Sequence, residues 1–188
     1  MSQPLPARDA PAHRIRRSLL TGPGVKRFDV GCEVAAVGRK PELARLLVET
    51  AISGSTQAVA ADERDYVQAI RAAQDAETKI EIYASAMRMI ARRLAPVLGI
   101  IQQAAGAEPE LTSLWREISD RRAANMRRFA ADLAAVGALR VDLGEAPDII
   151  WATNAPELYQ LLVGQRGWSP DRYERFLADT WRRLLLAG

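Results

Sequence analysis

The sequence predicts an all-α fold, and three observations support this class. Aromatic residues make up only 6% of the 188 residues, whereas apolar residues make up 48% and Ala, Leu and Arg are abundant. No Asn-Gly or Asp-Gly dipeptide separates alternating apolar runs, although that is the strongest short signal of a β-hairpin. From Pro41 onward the apolar residues recur at helical spacing. A chain of this length can bury the core of one domain, or of a small domain and a larger one.

The first 33 residues contain four Pro and three Gly, so only short helices are expected there, the best being residues 12–21. Pro41 suits the first position of a helix that ends near Gly54. Its expected inner face consists of Leu43, Leu46, Leu47, Thr50 and Ala51. Asp62 is predicted to cap a short helix that carries Tyr66, Ala69 and Ile70. Asp75 is predicted to cap a longer one, which Pro96 should break or kink.

The second half of the chain is punctuated by proline at predicted helix starts. Pro109 begins the longest predicted helix, which runs to about Val136 and is closed by Gly137. Two shorter helices should begin at Pro147 and Pro156. Ser169 followed by Pro170 combines a capping residue with a proline at the first helical position, so a last helix should begin there.

Positive charge is concentrated at the N-terminal end. Residues 1–40 hold 8 Lys or Arg and 3 Asp or Glu, and the remainder holds 18 and 20, within a total net charge of +3. We therefore predict two parts: a basic head, residues 1–40, and a helical domain, residues 41–188. A basic end favours contact with phosphate, although a solvated basic tail is the simpler alternative.

Several classes of protein are disfavoured by what the sequence lacks. With a single cysteine, Cys32, and a single histidine, His13, we expect no internal disulfide, no metal site and no cofactor. No glycine-rich phosphate loop or catalytic serine or zinc motif occurs, so the chain is not predicted to be an enzyme. The polar N-terminus and the absence of a long apolar run predict no membrane contact and a cytoplasmic location.

Two sets of residues are candidates for binding. Aromatic and Met residues on separate helices are predicted to line an apolar ligand cavity, with ordinary core as the alternative: Met87, Trp115, Met126, Trp151 and Tyr159. The two long apolar-faced helices, from Pro109 and from Pro170, are predicted to pair with their symmetry mates in a homodimer, with inward packing in a monomer as the alternative. The predicted dimer-interface residues are Phe129, Leu133, Leu177, Trp181 and Leu184.

The C-terminal segments resemble the effector-binding domain of TetR-family transcriptional regulators. The resemblance covers residues 34–186. It rests on Trp-Ala-x-x-x-Pro-Glu-Leu-Tyr at residues 151–159, Arg-Gly-Trp-Ser at residues 166–169 and Tyr-Glu-Arg-Phe at residues 173–176. It implies an all-helical homodimer with a central cavity for a small apolar or amphipathic effector. It also implies a helix, here the one from Pro41, that couples the cavity to an operator-binding head.

The head departs from the pattern of the same family. In that family the recognition helix ends in the pattern Tyr-x-x-Phe-x-x-Lys. The corresponding residues here are Val34-Ala-Ala-Val37-Gly-Arg-Lys40, so Lys40 matches and both aromatic positions are Val. The 33 residues before Val34 are fewer than a complete head of that family needs, so we expect the helix-turn-helix to be incomplete. Truncation or rearrangement, a different start or reading frame, and loss of specific DNA binding remain three open explanations. The candidate DNA-binding residues are Lys26, Arg27, Arg39 and Lys40.

The resemblance implies a transcriptional regulator, acting as a repressor, that binds an effector and operator DNA. One alternative is an effector-binding module that is deficient in DNA binding, or a heterodimer partner of a full-length regulator. A helical enzyme that uses the same cavity is a more remote alternative.

Overall fold

The computed structural model of the chain describes residues 40–54, 59–137 and 139–187, which belong to one compact unit. Within these ranges there are seven α-helices and no β-strand, so the prediction of an all-α fold is confirmed for the described residues. A 3₁₀ turn, Ala61–Glu63, precedes the helix Asp65–Ala72, and a π-helix, Gln160–Gln165, follows the helix Pro156–Tyr159. The helices are α1 Lys40–Ser53, α2 Asp65–Ala72, α3 Ala76–Ala105, α4 Pro109–Ala134, α5 Ala146–Thr153, α6 Pro156–Tyr159 and α7 Pro170–Leu185.

Two of the predicted helix starts, at Asp75 and Ser169, are confirmed by side-chain capping contacts. The Asp75 carboxylate accepts a hydrogen bond from the Thr78 amide at 2.8 Å, and the Ser169 hydroxyl accepts one from the Arg172 amide at 3.2 Å. Each bond satisfies an amide that a helix start otherwise leaves unpaired. Gly137 follows α4 with φ of +72°, a left-handed conformation that glycine adopts without steric cost.

Four predictions about the helices are wrong, the last of them only in part. Asp62 lies in the 3₁₀ turn and pairs with Arg71 at 2.7 Å, whereas α2 begins after Arg64 without a side-chain cap. Helix α3 continues through Pro96 and is longer than α4, with 30 residues against 26. Buried contacts on both sides of Pro96, from Ala95 and Leu98, outweigh the about 3 kcal/mol that an interior proline costs.

The fourth prediction concerns the inner face of α1, and it holds for Ala51 but not for the three leucines. Leu43, Leu46 and Leu47 are 43–48% exposed, and the buried residues are Val48 and Ala51. Two apolar stripes run along this helix, and their spacing alone cannot tell which one packs. The stripe with Val48 packs against α3 and α4.

Helix α3 is the centre of the fold, because α1, α2, α4, α6 and α7 all pack against it. The buried side chains form two groups. We call the first the C-terminal cluster; its largest members lie on α3, α4, α5 and α7 and include Tyr83, Phe129, Leu133, Ile150, Tyr173, Leu177 and Trp181. The second, the N-terminal cluster, joins α1, α3 and α4 and consists of Val48, Leu98, Ile101, Leu111, Leu114 and Ile118.

The π-helix comes unusually close to α3. The Gln160 amide donates a hydrogen bond to the Ala95 carbonyl at 2.7 Å, and a Cβ atom at Gly99 would lie 2.7 Å from the same amide nitrogen. Because glycine has no Cβ atom, Gly99 leaves the space in which the Gln160 side chain packs against α3.

Four of the five predicted dimer-interface residues lie in the interior of a single chain, so their assignment is corrected. Phe129, Leu133, Leu177 and Trp181 are 0–5% exposed and belong to the C-terminal cluster. The Trp181 ring stacks on Tyr83 at 5.2 Å between centroids and donates from Nε1 to the Thr153 hydroxyl at 2.7 Å. Only Leu184 has an exposed side chain, at 39%. Inward packing accounts for the apolar faces of α4 and α7, and the homodimer itself stays a prediction.

Among the described residues, no helix combines the length and the apolar character needed to cross a bilayer.

Candidate functional site

A cavity of about 80 Å³, the central cavity, lies where the two apolar clusters meet. Ile52, Leu94 and Leu98 line it from the N-terminal side, and Tyr83 and Met126 line it from the C-terminal side. A second cavity of about 270 Å³, the adjoining cavity, shares five lining residues with it: Ile52, Arg64, Leu94, Arg122 and Asn125. The gap between the two packed clusters is thus a partly open space of the kind that binds small molecules.

The apolar wall of the central cavity is one continuous stripe on α3. The lining residues recur at spacings of three and four, which places them on one face of the helix: Met87, Ile90, Ala91, Leu94, Ala95 and Leu98. Met126 of α4 adds a second flexible thioether. Methionine adapts to irregular shapes, so this wall suits an apolar group of variable outline.

The Asn154 side chain organises the polar side of the central cavity. Its amide nitrogen donates to the Tyr83 hydroxyl at 2.9 Å and lies 3.4–3.5 Å from the sulfur atoms of Met87 and Met126. Its amide oxygen accepts a hydrogen bond from Arg122 at 3.2 Å. Burial raises the pKa of the Tyr83 hydroxyl well above its usual value, so this group stays a neutral hydrogen-bonding partner.

Arg122 brings a positive charge to the rim shared by both cavities. Its Nη2 atom donates to the carbonyl oxygens of Trp151 and Asn154, each at 3.4 Å, and its guanidinium lies over the Trp151 ring at 5.2 Å. No carboxylate in the described part of the chain lies within ion-pair distance of it, and Glu157 acts on it only at longer range. Burial lowers the pKa of Arg122, but a guanidinium remains charged in proteins.

Arg64 adds a second positive charge with an incomplete set of partners. Its side chain is 12% exposed, and its nearest carboxylate oxygen, on Glu49, is 3.8 Å away. Its Nε atom is buried without a hydrogen-bond partner among the described residues. Glu49 also pairs with Arg121 at 2.5 Å, so one carboxylate serves two arginines. Together with Arg122, the adjoining cavity has three arginines in its wall and one acidic residue.

The predicted ligand-binding residues divide between the cavity and the surrounding core. Met87 and Met126 line the central cavity, and their contact with a ligand stays a prediction. Trp115 instead packs against the N-terminal cluster. Tyr159 is buried edge-on against Tyr173 at 5.0 Å, and Trp151 is 37% exposed under Arg122. Their positions outside the lining correct the prediction for these three residues.

The sequence interpretation missed the polar residues of the cavity, although α4 carried a signal. Leu111, Leu114 and Ile118 precede Arg122 and Asn125 on the apolar side of this helix, and Met126 and Phe129 follow. A charged and an amide residue within an apolar stripe indicate a polar feature in the core. Arg64 precedes the short helix α2, and Asn154 follows the short helix α5. Polar residues are common at such positions, so neither residue carries a comparable signal.

Of the candidate DNA-binding residues, only Lys40 falls within the described ranges. Its ammonium group contacts the Glu108 carboxylate at 3.1 Å and 3.3 Å, and its side chain is 75% exposed. Lys26, Arg27 and Arg39, like the helix predicted at residues 12–21, lie outside the described residues. Within the described ranges no group of His, Cys, Asp or Glu is arranged to hold a metal ion.

Comparisons of the chain with protein-family models, with curated proteins and with solved structures gave no match. Over the described residues, the fold and the site define an all-helical protein with a partly open cavity that has apolar walls and an arginine-rich rim.

Proposed function

We propose that the chain is a TetR-like transcriptional regulator, acting as a repressor, whose effector binds in the central cavity. The observation that carries the proposal is the position of the cavity. Ile52 of α1 forms part of its wall, and α1 begins at Lys40, the last residue of the basic head. A ligand that enlarges or fills the cavity would therefore act on the helix that leads to the head.

The contacts of α1 suit a helix that changes position. Three exposed ion pairs join its side to α4 or to the residue before α4: Lys40 with Glu108, Arg45 with Glu117, and Glu49 with Arg121. Such pairs contribute only about 0–1 kcal/mol each, so they guide the helix without fixing it. At the other end, Arg93 of α3 donates to the Ala51 carbonyl at 2.8 Å and holds the C-terminus of α1.

The second candidate is an effector-binding module, or a heterodimer partner, that is deficient in DNA binding. One observation favours it: Lys40, the described residue expected to contact phosphate, already has a carboxylate partner in Glu108. A lysine held by a carboxylate attracts phosphate less strongly than a free one. The homodimer is part of the repressor proposal and of the effector-binding module, whereas a heterodimer partner pairs with a full-length regulator instead.

Fluorescence anisotropy with the upstream DNA of the gene and with scrambled DNA, across a salt series, separates the two candidates. A repressor should bind the upstream DNA selectively, and Lys40→Glu should weaken that binding at least about tenfold, because it replaces attraction by repulsion at a phosphate. Glu108→Gln is the matched control, since it removes the partner and leaves the lysine. Weak, equal and salt-sensitive binding to both DNAs would support the second candidate.

The contact between α1 and α4 has its own pH signature. Arg45 donates to Glu117 from both terminal nitrogens, the longer contact being 2.8 Å, and this holds the pKa of Glu117 below the ordinary 4.5. Because the folded-state pKa is lowered, the stabilisation is complete above the unfolded-state pKa and is lost as the pH falls through the folded-state value. NMR titration should give Glu117 a lowered pKa. Arg45→Gln should return that pKa toward 4.5, whereas Arg127→Gln, farther along α4, should leave it unchanged.

A further inference from the structure

The central and adjoining cavities have an excess of positive charge that the described chain does not neutralise. Their shared rim carries Arg64 and Arg122, and Arg121 lies in the wall of the adjoining cavity. Glu49 is the acidic residue in these walls, and it is divided between Arg64 at 3.8 Å and Arg121 at 2.5 Å. Charged groups removed from water usually have an opposite charge as partner, so this rim favours an anion.

The same rim has hydrogen-bond donors that are not in use. In the described part of the chain Arg122 donates only from Nη2, and Arg64 only from Nη2, which reaches the Val59 carbonyl at 3.4 Å. The amide of Asn125, three residues after Arg122 on α4, lines both cavities and makes no hydrogen bond to another described residue. Arginine has five donors in a planar fork, which fits the two oxygens of a carboxylate.

A third cavity, of about 70 Å³, differs from these two because the charges in its lining balance. It shares Tyr66, Tyr83 and Asn125 with the central cavity, but its charged lining consists of two arginines and two aspartates: Arg71, Arg128, Asp62 and Asp132. Arg71 and Asp62 already pair at 2.7 Å. The rim of the central and adjoining cavities therefore combines spare donors with spare positive charge, whereas the lining of the third cavity does not.

We infer that the ligand of this site is an anionic amphiphile, whose apolar part lies along the α3 stripe and whose carboxylate binds between Arg122, Arg64 and Asn125. This inference rests on the proposed function and names the class of its effector. It also supplies a link to α1. A carboxylate on Arg64 competes with Glu49, so binding weakens the contact between the cavity wall and the helix that leads to the head.

The test compares two probes that differ mainly in the charge of the head group, octanoate and 1-octanol. Isothermal titration calorimetry on the full chain should give octanoate an affinity at least about tenfold higher than that of 1-octanol. Arg122→Met keeps an unbranched apolar stem and removes the guanidinium, and it should remove most of this preference. Arg127→Met is the control, because Arg127 is an exposed residue of the same helix that lines neither cavity.

The outcomes distinguish failure of the anionic-ligand inference from failure of the proposed effector function. Equal affinities for the two probes would overturn the anionic ligand and leave an apolar effector cavity. If neither probe binds, the cavity is not an effector site for amphiphiles of this length. That result would overturn the inference as well. If Arg122→Met does not fold, Arg122→Lys provides the test: it keeps the charge and loses the planar fork, so it should weaken octanoate binding and leave 1-octanol binding unchanged.

Discussion

Replacement of Trp181 by alanine is expected to lower the free energy of unfolding by about 3–5 kcal/mol, the range for removal of a large buried aromatic side chain. Trp181 is 0% exposed, stacks on Tyr83 and lies 6.2 Å from Phe129 between ring centroids. The change also removes the hydrogen bond from its indole to the Thr153 hydroxyl. Urea unfolding followed by circular dichroism measures the effect.

The matched control is Leu184→Ala, on the same helix and one turn further along. Leu184 is 39% exposed, and its loss should change the unfolding free energy by no more than about 0.5 kcal/mol. The cost of Trp181→Ala should not depend on protein concentration, because the lost contacts lie within one chain. A cost that rises on dilution, together with a change in sedimentation, would restore Trp181 to a dimer interface and contradict the interior position.

Leu98→Ala is expected to cost about 2–5 kcal/mol of unfolding free energy. Leu98 is 0% exposed, belongs to the N-terminal cluster and also lines the central cavity. The shortened side chain leaves an empty volume that joins the existing cavity of about 80 Å³. We therefore expect the neighbouring helices not to move in and fill it. Denaturant midpoints at constant slope would measure the loss.

Ile100→Ala provides the comparison on the same helix. Ile100 is 70% exposed, so the same kind of truncation should change stability by no more than about 0.5 kcal/mol. If the two variants lost equal stability, Leu98 would not be a core residue, and the wall of the central cavity would be described incorrectly. The pair therefore tests the cavity boundary without any ligand.

Local signals in the sequence predicted most of the helices correctly. Asp75, Pro109 and Ser169 each mark a helix start, because the chemistry of a cap or of a proline ring acts within four residues of the chain. Pro96 is the exception. Its local preference against an α-helix is opposed by buried contacts from residues distant in the sequence, and these are invisible to a local pattern.

The candidate site was predicted only in part. Met87 and Met126 were found because Met on an apolar helix face suits a cavity wall. Trp115 and Tyr159 have similar apolar faces and lie in packed core instead. Whether an apolar side chain meets a neighbour or an empty space depends on how the two clusters fit together, and spacing along one helix carries no such information.

The sequence by itself determined the all-α class and the helix starts named above, because periodicity and capping act over a few neighbouring residues. Only the tertiary structure decided which stripe of α1 is buried, that Trp181 is core and that Arg122 and Arg64 share the cavity rim. These facts depend on contacts between distant segments. Such contacts are set by the packing of all the helices together, since one apolar stripe fits many partners and only the assembled core selects one.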